Sequence, residues 1–216
     1  MLDLSLGAEI DKPLEILCIG AHCDDIEIGC GGTLMRWIDE RKISVTWVVL
    51  TSTSRRALEV RRCARTMLKS ARRCRIQIKA FKDGFLPEQW GSVKRFFETL
   101  KRLPRPDLIF THSADDMHQD HRIASELTWN TFRNHLIFEY EIAKYDGDLS
   151  RRNCYVALGR TTVERKAKAI CSAYVSQLKK AWFTPDAFRA LMRLRGLECN
   201  APEGYAEAFH ARKVRF

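Results

Sequence analysis

Short apolar runs rich in β-branched side chains alternate with longer segments of helical periodicity along the first 135 residues, and few folds accommodate that order. Residues 14–21 and 43–50 read as strands, and residues 32–41 between them place Leu34, Trp37 and Ile38 at helical spacing. Residues 55–71 continue as a helix. Residues 75–81 alternate Ile76 and Ile78 with polar neighbours, as a strand does. An amphipathic helix over 90–103 is stopped by Pro104 and Pro106, and a brief strand over 108–111 precedes a helix over 120–134. Strand–helix alternation at this spacing predicts βαβ units, hence an α/β protein with a mostly parallel sheet covered on both faces. Right-handed crossovers then gather the C-terminal strand ends on one edge, where ligands collect. Further on, strands are predicted over 137–143, 154–158 and 205–214, with helices over 161–175 and 185–195.

The first strand runs directly into Gly20-Ala21-His22-Cys23-Asp24-Asp25-Ile26-Glu27-Ile28-Gly29-Cys30-Gly31-Gly32-Thr33. Neutral imidazole and carboxylate oxygen both bind zinc, and catalytic zinc sites use three protein ligands. His22 and Asp25 fit two of them. Asp24 is then free to accept a proton from a water that a metal has acidified. Taken alone, Asp24-Asp25 reads rather as an exposed turn that caps a helix. Gly29, Gly31 and Gly32 are expected to open the following helix, but their order is not a dinucleotide fingerprint. Cys23 reads as structural.

The second polar cluster, His118-Gln119-Asp120-His121, follows the apolar run 107–110. With a helix starting near Gln119, His121 points inward from its first turn while His118 approaches from the preceding loop. One imidazole completes a ligand set; the other is placed to donate to the oxyanion of an attacked carbonyl. Asp120 would hold an imidazole in its tautomer. Two histidines near a helix start are also common surface decoration. His112 is a weaker candidate for lining the cleft, and His135 and His210 read as structural.

Composition sets outer limits. At 216 residues, of which 45% are hydrophobic, the chain supplies a core for one domain over 1–216. It has no apolar run near twenty residues, so no membrane span is expected, and its N-terminus lacks a secretory pattern. A cytoplasmic setting is the expectation that follows, and the eight cysteines, with no C-x-x-C pair, argue against a disulfide scaffold or cysteine-bound zinc. The net charge of +10 is concentrated in residues 55–75, where nine Arg or Lys face the single acid Glu59. That stretch reads either as a solvated helix face or as attraction for an anionic substrate or surface. No nucleic-acid-binding motif accompanies it, so no nucleic-acid partner is expected.

Together the segment 21–33 and His118-Gln119-Asp120-His121 resemble the LmbE-like/PIG-L de-N-acetylases, with weaker likeness over 56–68, 168–177 and 205–209. The resemblance implies a Rossmann-like three-layer sandwich whose active site lies at the C-terminal ends of the strands. It implies hydrolysis of the acetamide of an N-acetylglucosamine-type sugar or sugar conjugate, with Zn2+, Fe2+ or Co2+ as cofactor. His22, Asp25 and His121 fall at the family's metal ligands and Asp24 at its general base. His118 matches the histidine that stabilises the oxyanion, and Asp120 the residue that orients it. The family usually has proline where Cys23 stands. Arg55 and Arg56, just past the second strand, are assigned from position and charge to a phosphate or sugar hydroxyl of the substrate. Two other readings stay open: a metal amidase of the same fold acting on a non-sugar amide, and a non-catalytic basic metal-binding module. Self-association of the chain is a further expectation.

Overall fold

The computed structural model describes residues 12–215. Seven strands form one sheet: β1 (Leu14–Gly20), β2 (Ile43–Thr51), β3 (Arg73–Phe81), β4 (Leu108–His112), β5 (Leu136–Tyr140), β6 (Cys154–Leu158) and β7 (Tyr205–Ala211). Their spatial order is β3-β2-β1-β4-β5-β7-β6, and only β7 runs against its neighbours. The sheet is therefore mostly parallel, as the alternation of elements predicts. β6 and β7 close one side as an antiparallel pair.

Six helices cover the two faces: α1 (Asp25–Glu40), α2 (Ser54–Met67), α3 (Trp90–Leu100), α4 (Gln119–Thr131), α5 (Arg160–Ala173) and α6 (Pro185–Glu198). One apolar cluster packs α1, α2, α5 and α6 against one face of the sheet through Ile26, Leu34, Val60, Met67, Val163 and Met192. A second packs α3 and α4 on the other through Val93, Phe97, Ala124 and Leu127. This is the three-layer Rossmann-like sandwich. The strand-order reversal lies between β1 and β4, which pair directly after the chain has first stepped outward to β2 and β3. A crevice opens at such a switch point. Both polar clusters follow these two strands.

Most elements match the sequence expectations to within a few residues; the informative difference is at α1. It begins at Asp25, not near residue 32, so Gly29, Gly31 and Gly32 lie inside the helix and do not open it. Asp24 stands at its N-cap, and Asp25 and Glu27 occupy the first turn, where the positive helix end favours carboxylates. The glycines serve packing. A Cβ on Gly29 would sit 2.3 Å from Cδ2 of Tyr140. Tyr140 is fully buried and its hydroxyl donates to Ile19 O at 2.6 Å, so the ring has nowhere to retreat. Gly29→Ala is expected to lose about 1–3 kcal/mol through overpacking, read as a lower urea midpoint; an unchanged midpoint would show that the helix can lift off Tyr140.

Candidate active site

β1 ends at Gly20, and Ala21, His22 and Cys23 carry the chain across to the N-cap of α1. The turn is closed by the His22 amide, which donates to Asp25 Oδ2 at 2.6 Å. From the neighbouring strand β4, the loop 113–118 delivers His118 to the N-cap of α4, and His121 lies in that helix's first turn. His22 Nδ1 lies 3.0 Å from His121 Nε2 and 3.5 Å from Asp25 Oδ2, and His121 Nε2 lies 3.6 Å from Asp25 Oδ1. Three residues separated by up to 99 positions in the chain thus meet in one small triangle.

The partners of each ring decide which nitrogens face inward with a lone pair. His121 Nδ1 is 2.8 Å from the buried Asp116 Oδ2, so its proton sits there and Nε2 is bare. His22 Nε2 lies 3.1 Å from Asp83 Oδ1 and 3.3 Å from Asp120 Oδ2, so it carries the proton and leaves Nδ1 bare. Two lone pairs and a carboxylate facing one another repel unless a cation joins them. The two nitrogens lie 3.0 Å apart, and each has a different Asp25 oxygen within 3.6 Å, so the carboxylate stands beside both lone pairs. The N2O donor set therefore fits a divalent metal such as zinc, iron or cobalt.

Without that ion the charges redistribute. Burial works against ionisation of Asp25, yet His121, His112 and His22 outweigh it and hold its carboxyl well below the usual range. Burial, with His112 beside it, brings the His121 imidazole down to about 4, leaving it neutral. Burial also opposes protonation of His22, but Asp25 and Asp120 overcome it and raise its pKa well above 6.5.

Asp24 is separated from this triangle in environment as well as in sequence. It is 6% exposed, and its Oδ1 lies 2.9 Å from Arg56 Nη2. Burial pushes its carboxyl up, with the Arg56 guanidinium pulling the other way. Neighbouring carboxylates are thereby driven in opposite directions. His118 accepts the Asp120 amide on Nδ1 at 3.2 Å, which leaves Nε2 as the protonated, donating nitrogen. Burial and the nearby His22 lower its pKa, so the ring is neutral.

The structure brings His22, Asp24, Asp25, His118, Asp120, His121 and Arg56 together, but not Arg55, which is exposed and makes no ion pair among the described residues. The Asp120 carboxylate lies against His22, not the His118 ring. It also accepts the Gly84 and Leu86 amides at 2.7 and 3.0 Å, closing the loop after β3 over the site. Gly84 has φ +78°, a left-handed conformation that suits glycine. Three contributors escaped the sequence reading or were underrated. Asp116 holds the His121 ring and also accepts the His118 amide at 2.8 Å, and its only signal was its position two residues before His118. His112 is fully buried, 3.0 Å from Asp25 Oδ2 and stacked on His121 at 3.8 Å. Asp83, in the loop after β3, had no sequence signal at all.

Comparison with known proteins bears on the fold and the family. Over 52 residues the chain is 44% identical to the uncharacterized deacetylase YaiS of Escherichia coli (strain K12), a match that covers 24% of this chain and spans 28% of that protein's length. The N,N'-diacetylchitobiose deacetylase of Pyrococcus horikoshii superposes with a TM-score of 0.69 at 20% identity, covering 94% of this chain and 86% of that one. GalB, the 4-carboxy-2-hydroxymuconate hydratase of Pseudomonas putida KT2440, superposes with a TM-score of 0.75 at 14% identity, covering 94% and 98%. Those two likenesses establish the fold, which evidently hosts more than one chemistry. A family model described as PIG-L: GlcNAc-PI de-N-acetylase matches residues 17–132, more than half of the chain and inclusive of both polar clusters. The chain belongs to the PIG-L (GlcNAc-PI de-N-acetylase) family of deacetylases.

Proposed function

We propose that the protein is a zinc-dependent hydrolase that removes the N-acetyl group of an N-acetylglucosamine-type sugar conjugate and releases acetate. The observation that carries this reading is a buried carboxylate, Asp24, paired with Arg56 and kept distinct from an adjacent His22–Asp25–His121 donor triangle. A binding module needs the triangle but has no use for the extra buried acid. The diacetylchitobiose deacetylase among the structural neighbours acts on an N-acetylated sugar, which supports the substrate class. We further take residues 1–216 as one such domain. The free cysteines, several of them buried, favour a reducing, cytoplasmic setting.

His22, Asp25 and His121 would hold the metal, which when bound supplies Lewis acidity to the acetamide carbonyl and acidifies water. Asp24 accepts the proton of the attacking water, and its burial-raised pKa makes it a better base than an exposed carboxylate. The same proton then suits the departing amine, so one carboxyl serves both transfers. His118 directs its Nε2–H at the carbonyl oxygen as that atom gains charge. Asp120, Asp116 and His112 keep the rings and Asp25 in register. Arg56, anchored on Asp24 at the crevice, and Arg55 beyond it are proposed to hold a phosphate or sugar hydroxyl of the substrate.

Zinc-reconstituted protein is expected to release acetate from N-acetylglucosamine conjugates, and chelator-treated protein to release none. If metal-loaded protein yields no acetate from any N-acetylhexosamine derivative, the sugar reading fails. Turnover of a non-sugar amide in its place would mark an amidase of the same fold.

A further inference from the structure

The turn between β5 and β6 reaches back to the loop that leads into His118. Lys144 Nζ lies 3.1 Å from Asp116 Oδ1 and 3.6 Å from Asp146 Oδ2, and it also pairs closely with Asp148 Oδ2. Its side chain is only 11% exposed. Asp148 Oδ2 in turn accepts the Met117 amide at 2.8 Å, and Asp116 accepts both the His118 amide and the His121 ring. One ammonium therefore joins the turn 144–148 to the loop 113–118 and stands one residue away from two site imidazoles. Asp116, Asp146 and Asp148 bring oxygens within 4.8 Å of one another. Without Lys144 these three carboxylates would repel across the junction.

We propose that Lys144 is a positioning residue of the metal centre: its ammonium bridges the Asp116–Asp148 junction, offsets part of its charge and so fixes the His121 ring through Asp116. This rests on the reading that His22, Asp25 and His121 hold the metal. The alternative role for such a lysine is to stabilise a surface turn and nothing more, and the two roles predict different measurements. Partners one step behind a metal ligand set its orientation and basicity, and losing one typically weakens metal binding about 10–100-fold. A lysine that merely stabilises the turn would lower the unfolding temperature and leave metal affinity alone.

The test is zinc affinity of the metal-stripped full chain by chelator competition, with thermal unfolding recorded alongside. Lys144→Met is expected to weaken zinc binding at least about tenfold, and to shift the visible absorption bands of the cobalt-loaded protein. Lys144→Arg, which keeps the charge, is expected to restore most of the affinity. Asp146→Asn, at the more exposed end of the cluster, is expected to leave it unchanged. Should Lys144→Met fail to fold, Lys144→Gln carries the same comparison, since it keeps a donor toward Asp116 without the charge. A folded variant that binds zinc as tightly as the parent overturns the proposal while the metal reading stands. A parent chain that binds no zinc defeats both.

Discussion

Asp24→Asn is expected to lower kcat by about 10²–10⁴-fold while zinc stays bound, the range that general acid–base catalysis contributes. Asparagine fills the same volume at the N-cap of α1, and its amide oxygen can still face Arg56 Nη2, which lies 2.9 Å from Asp24 Oδ1. What it cannot do is take a proton from water. Because Asp24 lies outside the donor triangle, neither the metal nor the substrate has to leave, so KM should move far less than kcat. Asp25→Asn makes the informative contrast. There the carboxylate faces His22 and His121 at 3.5 and 3.6 Å, and metal affinity itself should collapse. Steady-state kinetics with metal analysis on both variants separates the two carboxylates. Near-parental turnover by Asp24→Asn would move the base elsewhere.

The second large effect concerns stability. Lys166→Met is expected to destabilise the fold by about 3–5 kcal/mol, the usual consequence of stranding one member of a buried ion pair. Lys166 Nζ lies 2.6 Å from Glu207 Oε1 and 2.5 Å from Ile28 O, and both side chains are almost wholly buried. Glu207 also accepts the Gly32 amide at 2.8 Å and the Thr33 amide at 2.6 Å. A side-chain pair from α5 and β7 therefore bonds to backbone groups in the middle of α1, the helix whose start carries Asp24 and Asp25. Gly32 permits the approach, since a Cβ there would stand 2.9 Å from Glu207 Oε1. Urea denaturation of Lys166→Met, Glu207→Leu and the double variant gives a complete cycle. The double change should destabilise much less than the two single effects added together, because it leaves no unpaired charge. A parental midpoint for Lys166→Met would show that the pair does not hold the flank of α1.

Much of the layout was legible because it rests on local patterns. The strand–helix alternation announces a covered parallel sheet, and the ends of β1 and β4 announce where polar residues gather. The glycines in α1 misled for a physical reason. Glycine marks turns through its backbone freedom, but here it marks close approach to Tyr140 and Glu207, both remote in sequence. Arg55 and Arg56 look alike as adjacent cations just past a strand. Packing against α5 turns only Arg56 inward, toward Asp24 and over the Tyr174 ring at 5.7 Å.

By itself the sequence determined the fold class, the strand ends that bear the chemistry and the two motifs whose union marks the family. Those follow from hydrophobic periodicity and from the spacing of ligand-type residues, which act within a few positions along the chain. Tertiary structure decided the rest. It chose Asp116 over its neighbour Asp115 to hold His121, buried Asp24 against Arg56, and turned the Asp120 carboxylate to His22. It also threaded Lys144 behind the metal site and Lys166 into the flank of α1. A carboxylate's role depends on its burial and on which charge it meets, and both are set only when strands β1, β4 and β5 lie side by side.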